Sequence, residues 1–287
     1  MDRPAFPPAT DTPTFIERPL PSLAAWAAAF DRSEIPVLAD TEAALQDLAE
    51  HEDAADAHLL AETMAADPLM TLKLLRHVAA LRAGRDQTDP ETATEALVML
   101  GITPFFRAFH DQAVIETRLA GHPLALEGMR QVLRRSHRAA QFAQGFAVHR
   151  QDYDSLLIHE AALLHDFAEL LLWAHAPGLA QRIVRRLREQ PGLRSVEAQQ
   201  EVLGISLADL QQALMKAWRL PALLVQIADD HDSPLPQVRN VQLAIRFARH
   251  TAFGWDNPAV PDDVDAIADL LNLGNIPTLK LLHDLNS

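Results

Sequence analysis

The sequence predicts an all-α fold, and three observations carry that expectation. Glycine supplies 10 of 287 residues, about half its usual ~7% share, while Ala, Leu, Glu, Gln and Arg dominate, a composition that favours helix over sheet. Period-two alternation of apolar and polar residues is sustained nowhere, and the turn-punctuated, β-branched pattern of a sandwich or barrel is missing. The most apolar window, LLIHEAALLHDFAELLLWAH from Leu156 to His175, carries His159, Glu160, His165, Asp166 and Glu169. So many ionisable groups exclude a bilayer span, and the window reads as a buried helix.

In chain order, residues 1–33 form a Pro-rich extension with Pro4, Pro7, Pro8, Pro13, Pro19 and Pro21, then the amphipathic patch SLAAWAAAF; it is expected to dock late or stay mobile. Residues 34–120 form a first helical subdomain. Its helices are TEAALQDLAEHE, AADAHLLAETMA closed by Asp67-Pro68, LMTLKLLRHVAALRAG stopped at Gly84, and EALVMLG. Pro68 suits the first turn of a helix, and Gly101 suits a C-cap that needs positive φ. A break around Gly121, His122 and Pro123 opens the second part, 121–287, with helices expected at 124–149, 153–176, 178–190, 195–218, 221–231 and 236–253 and a further stretch from Pro261.

The charge is −14, from 25 Lys+Arg against 39 Asp+Glu. A chain this anionic lacks the cationic face that drives counterion release from nucleic acid or attraction to anionic lipid, so neither nucleic acid nor membrane is an expected partner. With no cysteine, disulfides, thiolate metal sites and cysteine nucleophiles are excluded together. The prolines near the N-terminus interrupt any apolar export signal, and a cytoplasmic location is expected.

Chemistry concentrates at His165-Asp166. On one continuous helix, at 100° per residue, His159, His165, Asp166 and Glu169 share about a third of the circumference while the remaining face is apolar. Buried ionisable groups are costly unless paired or bound to an ion. The stripe therefore belongs either to a divalent metal site completed from other helices or to a polar network that fixes helix packing.

ALLHDFAELLL, Ala162 to Leu172, resembles the GLLHDIGxLxL element of the HD superfamily. Its surroundings resemble the HDOD domain, the HD-related output domain of bacterial signalling proteins. IPVLADT is similar to LPxLP, LAETMAADPLMTLKLL to LAxxIxxDPxLTxRLL, and TATEALVMLG to SIxxAIxxLG; SHRAAQFA, AWRLP and IADDHDSP are similar to HSxxxAxxA, RWxLP and IxxHHxP. The elements run in order from about Ile35 to Pro234. The resemblance implies an N-terminal helical bundle packed on a distorted HD-type helical core.

It also implies ligand positions that this chain does not keep. Where HD enzymes place a first His stands Arg135; Leu207, Asp230 and Ile245 fall where a later His, the first of an HH pair and a final Asp belong. Of the metal set only His165, Asp166 and His231 remain as candidates. Three readings follow: Arg135 fills the space of the lost metal and pairs with Asp166, Arg135 is incidental, or a metal is still bound, with His137 as a substitute ligand. The first is preferred, because a guanidinium has donors and no lone pair to offer a cation. A structural polar network of Arg135, His159, His165, Asp166 and Glu169 is expected, with no catalytic residue and no cofactor; a divalent transition metal is the alternative. The function implied is a non-catalytic regulatory module that associates with signalling proteins. The alternative is a metal-dependent HD-type phosphohydrolase or cyclic-dinucleotide phosphodiesterase, although no GYP element of the HD-GYP type is present.

Overall fold

The computed structural model describes residues 14–51, 56–83, 90–229 and 235–286. Among these residues the fold is helical throughout, with a single isolated bridge between Val37 and Val114. The first part of the chain carries α1 (Leu23–Arg32), α2 (Ala39–Glu50), α3 (Ala57–Ala65), α4 (Pro68–Arg82), α5 (Ala93–Leu100), α6 (Ile102–Ala108) and α7 (Ile115–Arg118). The second part carries α8 (Pro123–Arg150), α9 (Ser155–Leu164), α10 (Phe167–His175), α11 (Pro177–Glu189), α12 (Ser195–Leu203) and α13 (Leu207–Ala217). It closes with α14 (Ala222–Ile227), α15 (Pro236–His250), α16 (Val260–Leu271) and α17 (Asn275–Leu285).

The organising element is α8, whose 28 residues present Phe142, Phe146 and a stripe of alanines to α9 and α15. Small residues let the helices approach closely, and Phe247 of α15 meets Phe142 edge-to-face with ring centroids 5.0 Å apart. At Gly128 the space of a Cβ is taken by the Trp173 ring, so glycine lets α10 lie against α8 there. Among the described residues no helix is long and apolar enough to cross a membrane.

Asp67 shows how local sequence becomes tertiary structure. Its carboxylate caps α4 by accepting from the Leu69 N–H (2.9 Å) and the Met70 N–H (3.1 Å), with Pro68 in the first turn. The other oxygen accepts from the N–H of Leu38 at 2.8 Å, tying the entry to α2 to the same point. Asp67→Ala orphans two buried donors and one half-buried donor and should cost about 3 kcal/mol in urea unfolding. A loss below about 1 kcal/mol would mean that water replaces the carboxylate there.

The extension, expected to dock late or stay mobile, lies docked on the core from residue 14 onward: α1 packs on α13, Trp26 and Phe30 are buried, and Trp218 Nε1 donates to Asp31 Oδ1 at 2.8 Å. Two sequence expectations need correction. The stretch 195–218 is two helices, because Gly204 takes φ +76° after α12 and the Ser206 hydroxyl then caps α13 by accepting from the Asp209 N–H at 3.1 Å. The stretch 153–176 is also two helices, with the break at His165 and Asp166. Neither glycine nor proline marks that break, so sequence signals for helix ends pass over it. The expected stop at Gly84 lies outside the described residues.

Candidate functional site

The break between α9 and α10 sets the site. His165 keeps helical dihedrals, whereas Asp166, at φ −103° and ψ 19°, starts a new helix. An aspartate there would ordinarily cap the helix with its side chain. Asp166 makes no such bond, because its carboxylate turns toward arginines on two other helices.

Arg135 arrives from the middle of α8 and Arg249 from the last turn of α15. Arg135 donates from Nε to Asp166 Oδ2 at 2.8 Å, with Nη2 2.7 Å from the same oxygen, and donates from Nη2 to Glu169 Oε2 at 2.7 Å in the first turn of α10. Arg249 Nη2 donates to Asp166 Oδ1 at 2.7 Å, and the Nδ1 of His165 lies 3.2 Å from that oxygen. One carboxylate, only 9% exposed, thereby joins α8 and α15 to the start of α10.

Burial alone would raise the pKa of Asp166, but Arg135, then Arg249 and His165, hold it well below the usual carboxylate range. Burial likewise works against the charge of Arg135; Asp166 and Glu169 outweigh it and hold the guanidinium firmly protonated. Both ions gain from a desolvated, charge-assisted contact, and each depends on the other to stay charged.

This donor set does not suit a divalent cation. Both oxygens of Asp166 already accept from guanidinium groups, and Arg135 brings positive charge and no lone pair to the place where a ligand is required. Among the described residues no group of three or more His, Cys, Asp or Glu side chains is arranged to hold a metal ion. Asp230 and His231 lie outside the described residues. Leu207, an apolar stand-in for a later ligand, lines two adjoining cavities of about 150 and 170 Å³ beside the network, together with Glu169 and Arg249.

The residues singled out from sequence are not all brought together. Arg135, His165, Asp166 and Glu169 meet; His159 does not. A single rod through residue 176 would align all four side chains, whereas the break at His165-Asp166 separates α9 from α10 and leaves His159 in another cavity with Glu160. His137 also points away: its Nε2 lies 2.7 Å from the carbonyl oxygen of Ala66. Ile245 is buried in the core, and Arg249, one turn further along the same face of α15, was missed although that i+4 spacing marks it. His250 contacts the buried carboxylate of Asp263 through Nδ1 at 2.6 Å.

Comparison with known proteins places the chain. A family model described as HDOD domain matches residues 35–234. No curated protein matches the sequence significantly. Among solved structures, the MmoQ response regulator of Methylococcus capsulatus strain Bath is similar at a TM-score of 0.67 and 21% identity, over 88% of this chain and 98% of that one. A virulence factor of Campylobacter jejuni is similar at a TM-score of 0.63 and 17% identity, over 92% of this chain and 98% of that one. At these identities the likeness shows the fold alone, and that fold is all-helical.

Proposed function

The chain belongs to the HDOD domain family, and from that premise we propose that it is a non-catalytic signal-transduction module, a helical platform that acts in the cytoplasm by associating with other signalling proteins. The observation that carries this reading is Asp166, the carboxylate of the His-Asp pair, with both oxygens taken up by Arg135 and Arg249. An HD-type hydrolase needs that carboxylate free to hold a metal that activates water. Here it is spent on fixing α8, α10 and α15 against one another. The name of one structural relative, a response regulator, accords with a regulatory role.

On this reading no metal cofactor is required, and the His-Asp pair has a structural task. His165 lies against Asp166, Asp166 pairs with two arginines, and Glu169 accepts from the Nη2 of Arg135 that also lies beside Asp166. A platform that transmits a signal by association needs such a fixed helix junction, because movement at one face reaches another only through elements with defined packing. The competing function, phosphoester hydrolysis by an HD-type phosphohydrolase or cyclic-dinucleotide phosphodiesterase, is tested with bis(p-nitrophenyl) phosphate and cyclic di-GMP in the presence of Mn²⁺. The expected result is no turnover above buffer. Turnover that disappears in Asp166→Ala would replace the regulatory reading with the enzymatic one.

A further inference from the structure

We propose that the cavity enclosed by α3, α5 and α9 binds a small apolar molecule carrying an ammonium group, with Glu160 as its counter-ion. This cavity measures about 260 Å³ and is walled largely by Ala61, Ala65, Leu156 and Leu163, with Glu160 and His159 among its polar groups. A mostly apolar hollow with a few convergent polar groups is the usual form of a small-molecule site.

Glu160 is the unusual member. It is 5% exposed, and both of its oxygens accept from the same donor, the N–H of Ala93 at 3.0 Å, in the first turn of α5. Among the described residues no cation pairs with it. The contrast with Asp166 is direct: both carboxylates are buried, yet one has two guanidinium partners and the other none. An ionised carboxylate in that position is costly without a positive partner, and burial, reinforced by the charge of Glu95, pushes Glu160 up to about 8. An ammonium group entering the cavity supplies the missing charge.

The neighbours define the ligand further. Burial, and then the nearby His137, lowers the pKa of His159, so its neutral imidazole keeps one ring nitrogen able to accept from the ammonium. The alanine and leucine walls favour an alkyl or aryl body over a strongly hydrated inorganic cation. His58 and Glu62 of α3 stand at the exposed side of the cavity, while Glu95 of α5 acts on Glu160 from the other helix. A bound amine would touch α3 and α5 on one side and α9 on the other. The assignment rests on the cavity and does not depend on the regulatory reading of the His-Asp region.

Calorimetric titration and thermal shift of the full chain with benzylamine, benzyl alcohol and benzoate test it. Benzylamine should bind one per chain and raise the melting temperature, whereas the alcohol and the carboxylate should not. Because binding must displace a proton from Glu160, benzylamine affinity should rise roughly tenfold per pH unit between pH 6 and 7. Glu160→Gln, which keeps an acceptor for the Ala93 N–H, should weaken benzylamine by about tenfold or more. Ala65→Phe, at an exposed position on the cavity rim, should block it without touching the core. Failure of benzylamine to bind, equal binding of benzyl alcohol, or binding that survives both substitutions would overturn the assignment.

Discussion

Asp166→Ala should lower stability by about 3–5 kcal/mol, the usual cost of stripping one partner from a buried ion pair. For a chain of this size that corresponds to a melting temperature lower by roughly 10 °C or more. The substitution leaves Arg135 facing Glu169 alone and leaves Arg249 without its partner. Arg249 is half-exposed and can turn to water, so Arg249→Ala should cost only about 1 kcal/mol, within the range of partly exposed pairs. Arg135→Ala should approach the cost of Asp166→Ala, and the double variant should fall well short of the sum, since either substitution alone already destroys the shared contact. Additive losses would mean that the two groups do not act as a unit. The pH dependence has a fixed sign. Asp166 is held below its unfolded value, so its contribution is fully present above about pH 4 and is lost as pH falls through its folded value. The gap between wild type and Asp166→Ala should be constant at neutral pH and close only in strong acid.

Glu160→Gln should do the opposite and stabilise the protein, increasingly so with rising pH. In the fold the carboxyl titrates near 8 because it is buried beside a single N–H, whereas in the unfolded chain it titrates at its ordinary value of 4.5. Between those values the folded chain holds a proton that the unfolded chain has lost, so stability falls as pH rises, by about 1.4 kcal/mol per unit at most. The amide has no such penalty, and its advantage should grow from about pH 4.5 and level off above pH 8, reaching about 5 kcal/mol as an upper bound. His175 works the other way: burial, and then Arg118, lowers it to about 4, so it withdraws stability as pH falls from 6.5 toward 4. A stability difference between wild type and Glu160→Gln that stays flat from pH 5 to 9 would show that Glu160 is not held in the buried environment described.

Which parts of this were legible in the sequence follows from what kind of signal each part leaves. Helix class, the first-turn place of Pro68 and the family resemblance rest on local composition and ordered motifs, and the fold agrees with them. The placement of Arg135 beside Asp166 rested on alignment to a family pattern, which carries register across 31 residues where helical periodicity alone cannot. The failures come from long-range geometry. A break without glycine or proline at His165-Asp166 is imposed by tertiary contacts of the aspartate, and missing it put His159 on the wrong side of the molecule. Arg249 carries no local mark of its partner: it lies one turn beyond the buried Ile245 on α15 and meets Asp166 across 83 residues. Glu160 sits on the same apolar helix as the His-Asp pair, but nothing local reveals that it faces an N–H from α5 and a cavity.

The pairing of Asp166 with arginines where a metal would sit has one most direct test: elemental analysis of the full chain after equilibration with excess Mn²⁺, Fe²⁺ or Zn²⁺ and removal of free metal. An Arg135–Asp166–Arg249 cluster in place of a metal centre predicts far less than one metal per chain, with no change in Asp166→Ala. One or two equivalents retained by the wild type and lost in Asp166→Ala would contradict it and restore metal chemistry to the His-Asp pair.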